Sequence, residues 1–152
     1  MRDKKVLRIL PGLWMGVIFC FSHQPGAESS RVSGWVTSIL ETVAGILNLD
    51  VTGRNLNLLV RKGAHFTIFA VLGFLLFIAV YSKKEKLIFS SAAAVIIGTA
   101  YGVFDELHQY FIPGRSCQIM DMVIDALGVL LAVLLCSGYL AIKRYLRPQP
   151  EP

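Results

Sequence analysis

Residues 101–125 read YGVFDELHQYFIPGRSCQIMDMVID, and they join two apolar runs that are each long enough to cross a bilayer. This stretch concentrates ionisable and amide side chains within 21 residues: Asp105, Glu106, His108, Gln109, Arg115, Asp121 and Asp125. Burying such groups at membrane depth is costly unless they pair, so they are usually functional or mutually satisfied. The stretch is therefore the first place to look for a site.

The composition indicates a membrane protein with one bundle of helices. The 152-residue chain is 55% hydrophobic and 16% charged, whereas a soluble domain has about 25% charged residues. The charges are also clumped, which leaves long uncharged runs. We therefore expect a single membrane domain over residues 1–147 and a disordered tail over residues 148–152.

Four apolar runs predict transmembrane helices, at about residues 6–21, 64–81, 87–104 and 122–142. Between the first two, apolar residues recur with helical i, i+3, i+4, i+7 spacing from Val32 onward, and Ser30 is placed to cap the helix. Residues 31–48 are too polar to span a bilayer, so they predict an amphipathic interfacial helix. The predicted fold is an all-α membrane protein with four transmembrane helices and one outward interfacial helix.

The basic residues predict the orientation of these helices. The net charge is +5, but ten of the fifteen Lys and Arg residues lie in three short segments that flank apolar runs. This distribution indicates membrane topology, so we expect no nucleic-acid partner. Four spans place all three segments on one side, and the positive-inside rule makes that side the cytoplasm. Both termini are predicted to be cytoplasmic, and both long polar segments are predicted to face outward.

The third apolar run carries small residues at every fourth position. Ser90, Ala94, Gly98 and Gly102 form a ridge along one helix face, which lets another helix approach closely. We expect this ridge to serve helix packing, including a homo-oligomer through Ala94, Gly98 and Gly102.

The predicted topology brings polar patches from all four spans to the outer membrane level. Arg61 and His65 share a helix face, and so do Asp121 and Asp125, because residues four apart are neighbours on a helix. The side chains expected to line one pocket and bind a ligand are Ser22, Gln24, Arg61, Lys62, His65, Asp105, Glu106, His108, Gln109, Arg115, Asp121 and Asp125.

Three motifs in these patches resemble the VanZ-like family. They are FSHQP at 21–25, RKGAHF at 61–66, and DELHQYFIPGR at 105–115 followed by Asp121, Asp125 and Gly128. The resemblance covers roughly residues 14–140. It implies a small multi-pass protein of the bacterial plasma membrane. The member that gives the family its name is associated with resistance to teicoplanin, a lipid-bearing glycopeptide antibiotic.

Two functions fit the residues. In the first, the pocket binds a membrane lipid or lipid-linked amphiphile, with apolar walls for an acyl chain, a charged floor for the headgroup and the interfacial helix with Trp35 as a roof. In the second, the protein is a membrane enzyme that acts on a lipid-linked envelope substrate. Its catalytic candidates are acid–base residue types: His65, Asp105, Glu106, His108 and Asp125.

A divalent metal is a further candidate for this pocket, and simple charge pairing is an alternative. Carboxylates and an imidazole would bind the metal, and the candidates are Asp105, Glu106, His108 and Asp121. Arg61 and Arg115 would then clamp an anionic group. Alternatively these two arginines pair with Asp105, Asp121 or Asp125 and only stabilise the bundle. The sequence leaves both interpretations open.

Overall fold

The computed structural model of the chain describes residues 2–47, 56–84 and 86–146. The described residues form five helices and no strand: α1 Arg2–Ser22, α2 Gly26–Ile46, α3 Leu56–Lys84, α4 Leu87–Gln109 and α5 Ile119–Tyr145. The predicted all-α class is confirmed. The predicted disordered tail and the last residue of the predicted interfacial helix lie outside the described residues.

Four of the helices are long and apolar enough to cross a membrane. These candidate spans are Lys5–Ser22, Leu56–Lys83, Leu87–Gln109 and Ile119–Tyr145. Their number and order are those predicted from the sequence, and the chain is a multi-pass membrane protein.

The helices continue through the charged residues at which the sequence placed their ends. Helix α3 begins at Leu56 and not at residue 64, and α4 runs on to Gln109 and not to residue 104. Helix α5 likewise begins earlier, at Ile119. A backbone that left the helix at membrane depth would leave its N–H and C=O groups unpaired, which costs more than carrying a polar side chain on the helix. The helices therefore extend beyond the predicted membrane spans at the polar residues.

Helix α2 begins at Gly26, five residues before the predicted start. Ser30 lies inside the helix and does not cap it, so that prediction was wrong. Pro25 occupies the N-cap, and its carbonyl accepts hydrogen bonds from the N–H groups of Glu28 and Ser29 at 3.0 and 3.1 Å. Proline suits a helix start because it has no N–H group to satisfy. Trp35 points away from the bundle, with 67% of its surface exposed.

The apolar core lies mainly between α3 and α5. Its buried side chains include Phe69, Leu72 and Phe77 from α3 and Val129 and Val133 from α5. Glycines allow the two backbones to touch. A Cβ atom on Gly73 would lie 2.8 Å from the carbonyl oxygen of Val129, and one on Gly128 would collide with the carbonyl oxygen of Phe66.

The small-residue ridge of α4 is buried inside the chain. Gly98 faces the side chain of Val129, and Gly102 faces Asp125 and Phe69. Ala94 is fully buried as well. The close helix approach expected of this ridge therefore occurs within one copy of the chain.

Candidate functional site

Ends of α1, α3, α4 and α5 meet at one end of the bundle, which we call the polar end. The last residue of α1 contacts the last turns of α4: Ser22 Oγ donates to Asp105 Oδ2 at 2.9 Å. Gln109 Nε2 donates to the same carboxylate oxygen at 2.9 Å and lies 3.2 Å from Ser22 Oγ. All three side chains are buried, so this network fixes Asp105 in one position.

The first turns of α3 and α5 form two further contacts at this end. Lys62 Nζ donates to Asp121 Oδ1 at 2.7 Å. One turn further along both helices, His65 Nδ1 lies 3.2 Å from Asp125 Oδ1. Lys62 and His65 are three residues apart on α3, and Asp121 and Asp125 are four apart on α5. Both spacings place the two residues on one helix face, which aligns the two pairs.

Arg61 does not take the acidic partner that the sequence suggested for it. Lys62 pairs with Asp121, and within the described part of the chain Arg61 forms no ion pair or side-chain hydrogen bond. Its Nε atom is buried without a partner. In place of the expected pair between Arg61 and a carboxylate, its neighbour Lys62 pairs with Asp121.

Arg115 also binds no carboxylate in the described residues. It donates from Nε to the carbonyl of Gln24, from Nη2 to the carbonyl of Phe21 and from Nη1 to Gln109 Oε1, each at 3.1 Å. These bonds satisfy carbonyls at the end of α1 and tie the loop after α4 to it. Burial lowers the pKa of the Arg115 guanidinium, and the nearby charge of Arg61 acts in the same direction. Arginine nevertheless remains charged in proteins.

Two glycines hold the same loop against the start of α2. The Gly26 N–H donates to the carbonyl of Pro113 at 3.0 Å. Gly114 has a φ of +74°, a conformation that suits glycine, and any side chain on Gly26 would collide with the Gly114 carbonyl. The Pro113-Gly114-Arg115 sequence thus places Arg115 over the polar end.

Four ionisable side chains converge beneath these contacts. His65 from α3, Asp105 and Glu106 from α4 and Asp125 from α5 each offer a ligand atom, and these atoms all lie within 4.8 Å of one another. We call these residues the carboxylate–histidine cluster. The three carboxyl side chains are at most 1% exposed. Of the four metal candidates named from the sequence, the cluster contains Asp105 and Glu106.

His108 and Asp121, the other two of those candidates, lie outside the cluster. The ring of His108 stacks on Phe19 with centroids 4.5 Å apart, and its Nε2 lies 3.3 Å from Nδ1 of His23. Asp121 is the partner of Lys62. The contact between His23 and His108 was not predicted from the sequence. Its one signal in the sequence was that His23 directly follows the first span, next to Ser22.

A cavity of about 210 Å³ opens beside the cluster, between α1, α2 and α3. Apolar side chains form most of its walls, among them Ile18, Val36 and Ile68. Its polar lining comes from the predicted ligand-binding set: Ser22, Gln24, Arg61, His65, Asp105 and Arg115, together with Ser29 and Ser33 of α2. Helix α2 covers the cavity as predicted, but with Val32 and Val36, whereas Trp35 is not part of the lining.

The family follows from a comparison with known proteins. A family model described as VanZ/LLP1 matches residues 8–142. The chain belongs to the VanZ/LLP1 family. The matched region of this VanZ/LLP1 chain includes the cavity and the whole carboxylate–histidine cluster. No curated protein and no solved structure matches the chain.

Proposed function

We propose that this VanZ/LLP1 protein binds the anionic headgroup of a membrane amphiphile in the cavity between α1, α2 and α3. One observation carries the proposal: a cavity with mostly apolar walls contains two arginines, Arg61 and Arg115, that form no ion pair with a carboxylate within the described residues. Apolar walls with a few charged groups are typical of ligand pockets.

The electrostatics of the two arginines favour an anion. Like charges that share a partly buried cavity repel, and a phosphate or carboxylate between them would turn that repulsion into two charge-assisted interactions. The volume of about 210 Å³ is below the range of about 300–1,000 Å³ for drug-sized ligands. The cavity therefore suits a headgroup and the first carbons of a chain, with the rest of the amphiphile in the bilayer.

The polar end faces outward from the bacterial plasma membrane in this proposal. Its support is the Lys and Arg distribution, which places the basic termini in the cytoplasm. The helix α2 would then lie at the outer membrane surface. The ligand would be an outer-leaflet lipid, a lipid-linked wall precursor or a lipid-bearing antibiotic, and a contribution to teicoplanin resistance fits this location.

Cys117 provides the test of orientation, because it lies in the loop after α4 and is half-buried, whereas Cys20 and Cys136 lie within the spans. We expect a membrane-impermeant maleimide to label it in intact spheroplasts, and the label to disappear in Cys117→Ser. Labelling that required permeabilised membranes would contradict an outward polar end.

Binding is tested with the purified protein in detergent, by native mass spectrometry with phosphatidylglycerol and phosphatidylcholine. We expect the anionic lipid to be retained more strongly, and Arg61→Gln to weaken its binding about tenfold, since a hydrogen bond to a charged group contributes about 1.5–3 kcal/mol. Arg31→Gln is the matched control, because Arg31 is exposed on α2 and does not line the cavity. Equal losses in the two variants, or equal binding of both lipids, would contradict the proposal.

The second candidate function is an enzyme acting on a lipid-linked envelope substrate. The observation that favours it is the His65–Asp125 pair beside the cavity, because a histidine positioned by a carboxylate is a common general base. His65→Ala and Asp105→Asn separate the possibilities. Loss of the cellular phenotype with normal protein abundance and intact lipid binding would favour catalysis. Loss of abundance would indicate that the cluster is structural.

A further inference from the structure

We infer that His65, Asp105, Glu106 and Asp125 together bind one divalent transition-metal cation. Their ligand atoms come from three helices and lie within 4.8 Å of one another. Ligands about 2.1 Å from a tetrahedral cation are about 3.4 Å apart, so small side-chain rotations would close the cluster around an ion. The three helices that carry these residues pack directly against each other, which holds the ligands in place.

Two carboxylate oxygens in the cluster have no hydrogen-bond partner among the described residues. They are Glu106 Oε1 and Asp125 Oδ2, and both side chains are 0% exposed. The other oxygen of each residue is engaged, because Glu106 Oε2 accepts from the Gln118 N–H at 2.9 Å and Asp125 Oδ1 contacts His65. Each side chain is thus held by one oxygen and offers the other. Buried polar atoms without a partner are rare in proteins and need an explanation, and a bound cation supplies one for both oxygens.

The charge of the cluster also favours a cation. Within the described residues, no Lys or Arg side chain lies within ion-pair distance of Asp105, Glu106 or Asp125. Arg115 acts on Asp105 and Glu106 only as a nearby charge, because its guanidinium donates to Gln24, Phe21 and Gln109. Lys62 pairs with Asp121. Three carboxylates buried with one histidine are costly to ionise, and a divalent cation would compensate most of that charge. The competing explanation is that the carboxyl groups are protonated, and the experiment below distinguishes the two.

The ligand types indicate which cation is expected. One imidazole nitrogen with three carboxylate oxygens suits Mn²⁺ or Zn²⁺ better than Mg²⁺ or Ca²⁺, which prefer oxygen ligands alone. Neighbouring groups orient the ligands as they do in known metal sites: Ser22 and Gln109 hold Asp105, and the Gln118 N–H holds Glu106. His65 and Asp105 also line the cavity, so the cation would lie beside a bound anionic headgroup. This last step rests on the proposed function, whereas the metal site does not.

The test uses the full chain in detergent with the metal alone and no lipid. Protein stripped with EDTA is dialysed against Mn²⁺ or Zn²⁺, and bound metal is measured by plasma mass spectrometry. We expect one cation per chain and a higher unfolding temperature with metal than without, because a ligand that binds only the folded state stabilises it. Absence of both effects for both metals would overturn the inference and leave the lipid-binding proposal untouched.

Matched variants show whether the cluster is the site. Asp125→Asn and Glu106→Gln should each weaken metal binding at least tenfold. Asp121→Asn should retain it, since Asp121 is buried one turn earlier on the same helix but pairs with Lys62. If Asp125→Asn does not fold, Glu106→Gln and the wild-type titration decide the question. If Asp121→Asn loses as much metal as Asp125→Asn, the cluster is not the site and the inference is contradicted. If the protein takes up no metal and Asp125→Asn or Glu106→Gln raises its unfolding temperature, the carboxyl groups are protonated, which also contradicts the inference.

Discussion

The apolar middle of the bundle and its polar end are built from the same helices, yet their buried groups are satisfied differently. In the middle, glycines on α3 and α5 bring backbones into contact, and Phe69 and Leu72 are almost completely covered. At the polar end, buried atoms of Arg61, Glu106 and Asp125 have no hydrogen-bond partner in the described residues. Groups that find their partners within the chain stabilise the fold, whereas the groups without a partner are the ones that we propose to bind a ligand or a metal.

The largest loss of stability is expected from a substitution in the apolar middle of the bundle. Gly128→Ala places a methyl group against the backbone of Phe66, which can only move if α3 and α5 separate. Overpacking of this kind costs about 1–3 kcal/mol, and backbone contact places this variant at the upper end. Thermal unfolding in detergent measures the loss. Gly138→Ala is the control on the same helix, because nothing lies within 4 Å of its Cβ position. Equal stability of the two variants would show that the helices do not touch at Gly128.

A smaller loss of stability is expected when the one lysine–carboxylate pair that the described residues form at the polar end is broken. Lys62→Gln leaves the 3%-exposed side chain of Asp121 without its cation, and we expect a loss of about 2 kcal/mol in the free energy of unfolding. The swapped variant Lys62→Asp with Asp121→Lys should recover part of this stability. A swap that is no better than the single variant would mean that the pair does not stabilise the fold.

Ser22→Ala should have a still smaller effect. It removes the hydrogen bond that Ser22 Oγ donates to the Asp105 carboxylate and the one that it accepts from Gln109 Nε2, and we expect a loss of about 1.5 kcal/mol. Ser38→Ala is the control, because its hydroxyl is exposed and bonds only to the carbonyl of Trp35 within α2. A Ser22 variant as stable as the control would indicate that the α1–α4 network adds little to the fold.

Arg61→Gln should have the smallest effect on stability. Because Arg61 has no hydrogen-bond or ion-pair partner among the described residues, we expect the free energy of unfolding to change by at most about 0.5 kcal/mol. Its neighbour Lys62 provides the comparison, since the same substitution there removes an ion pair. Destabilisation equal to that of Lys62→Gln would mean that Arg61 is structural and not reserved for a ligand.

The sequence was sufficient for the number and order of the spans and for the meeting of their polar ends, because hydropathy and charge determine both. It was insufficient for helix ends, because charged residues such as Arg61 and Asp105 end an apolar run in the sequence, whereas the helices continue through them. It also could not choose between Arg61 and Lys62 as the partner of Asp121. Adjacent residues on a helix point about 100° apart, and only the rotation of packed helices decides which one faces the carboxylate.

The rotation of the packed helices also explains why two of the four metal candidates named from the sequence lie outside the cluster. Residue type made His108 a metal candidate together with Asp105, but α4 turns His108 toward Phe19 and His23. His65 reaches the cluster from a different helix, and no short motif records that contact. The five catalytic candidates named from the sequence include all four residues of the cluster, but only the packing of the three helices separates them from His108.

The most direct test of the ligand cavity is photo-crosslinking in liposomes with an anionic lipid that carries a diazirine on its acyl chain. Mass spectrometry of the digested protein should find label on the cavity residues Val36 and Ile68, and Arg61→Gln should reduce that label while Arg31→Gln does not. Label confined to exposed residues outside the cavity, such as Ile88 and Leu135, and unchanged by Arg61→Gln would contradict the account.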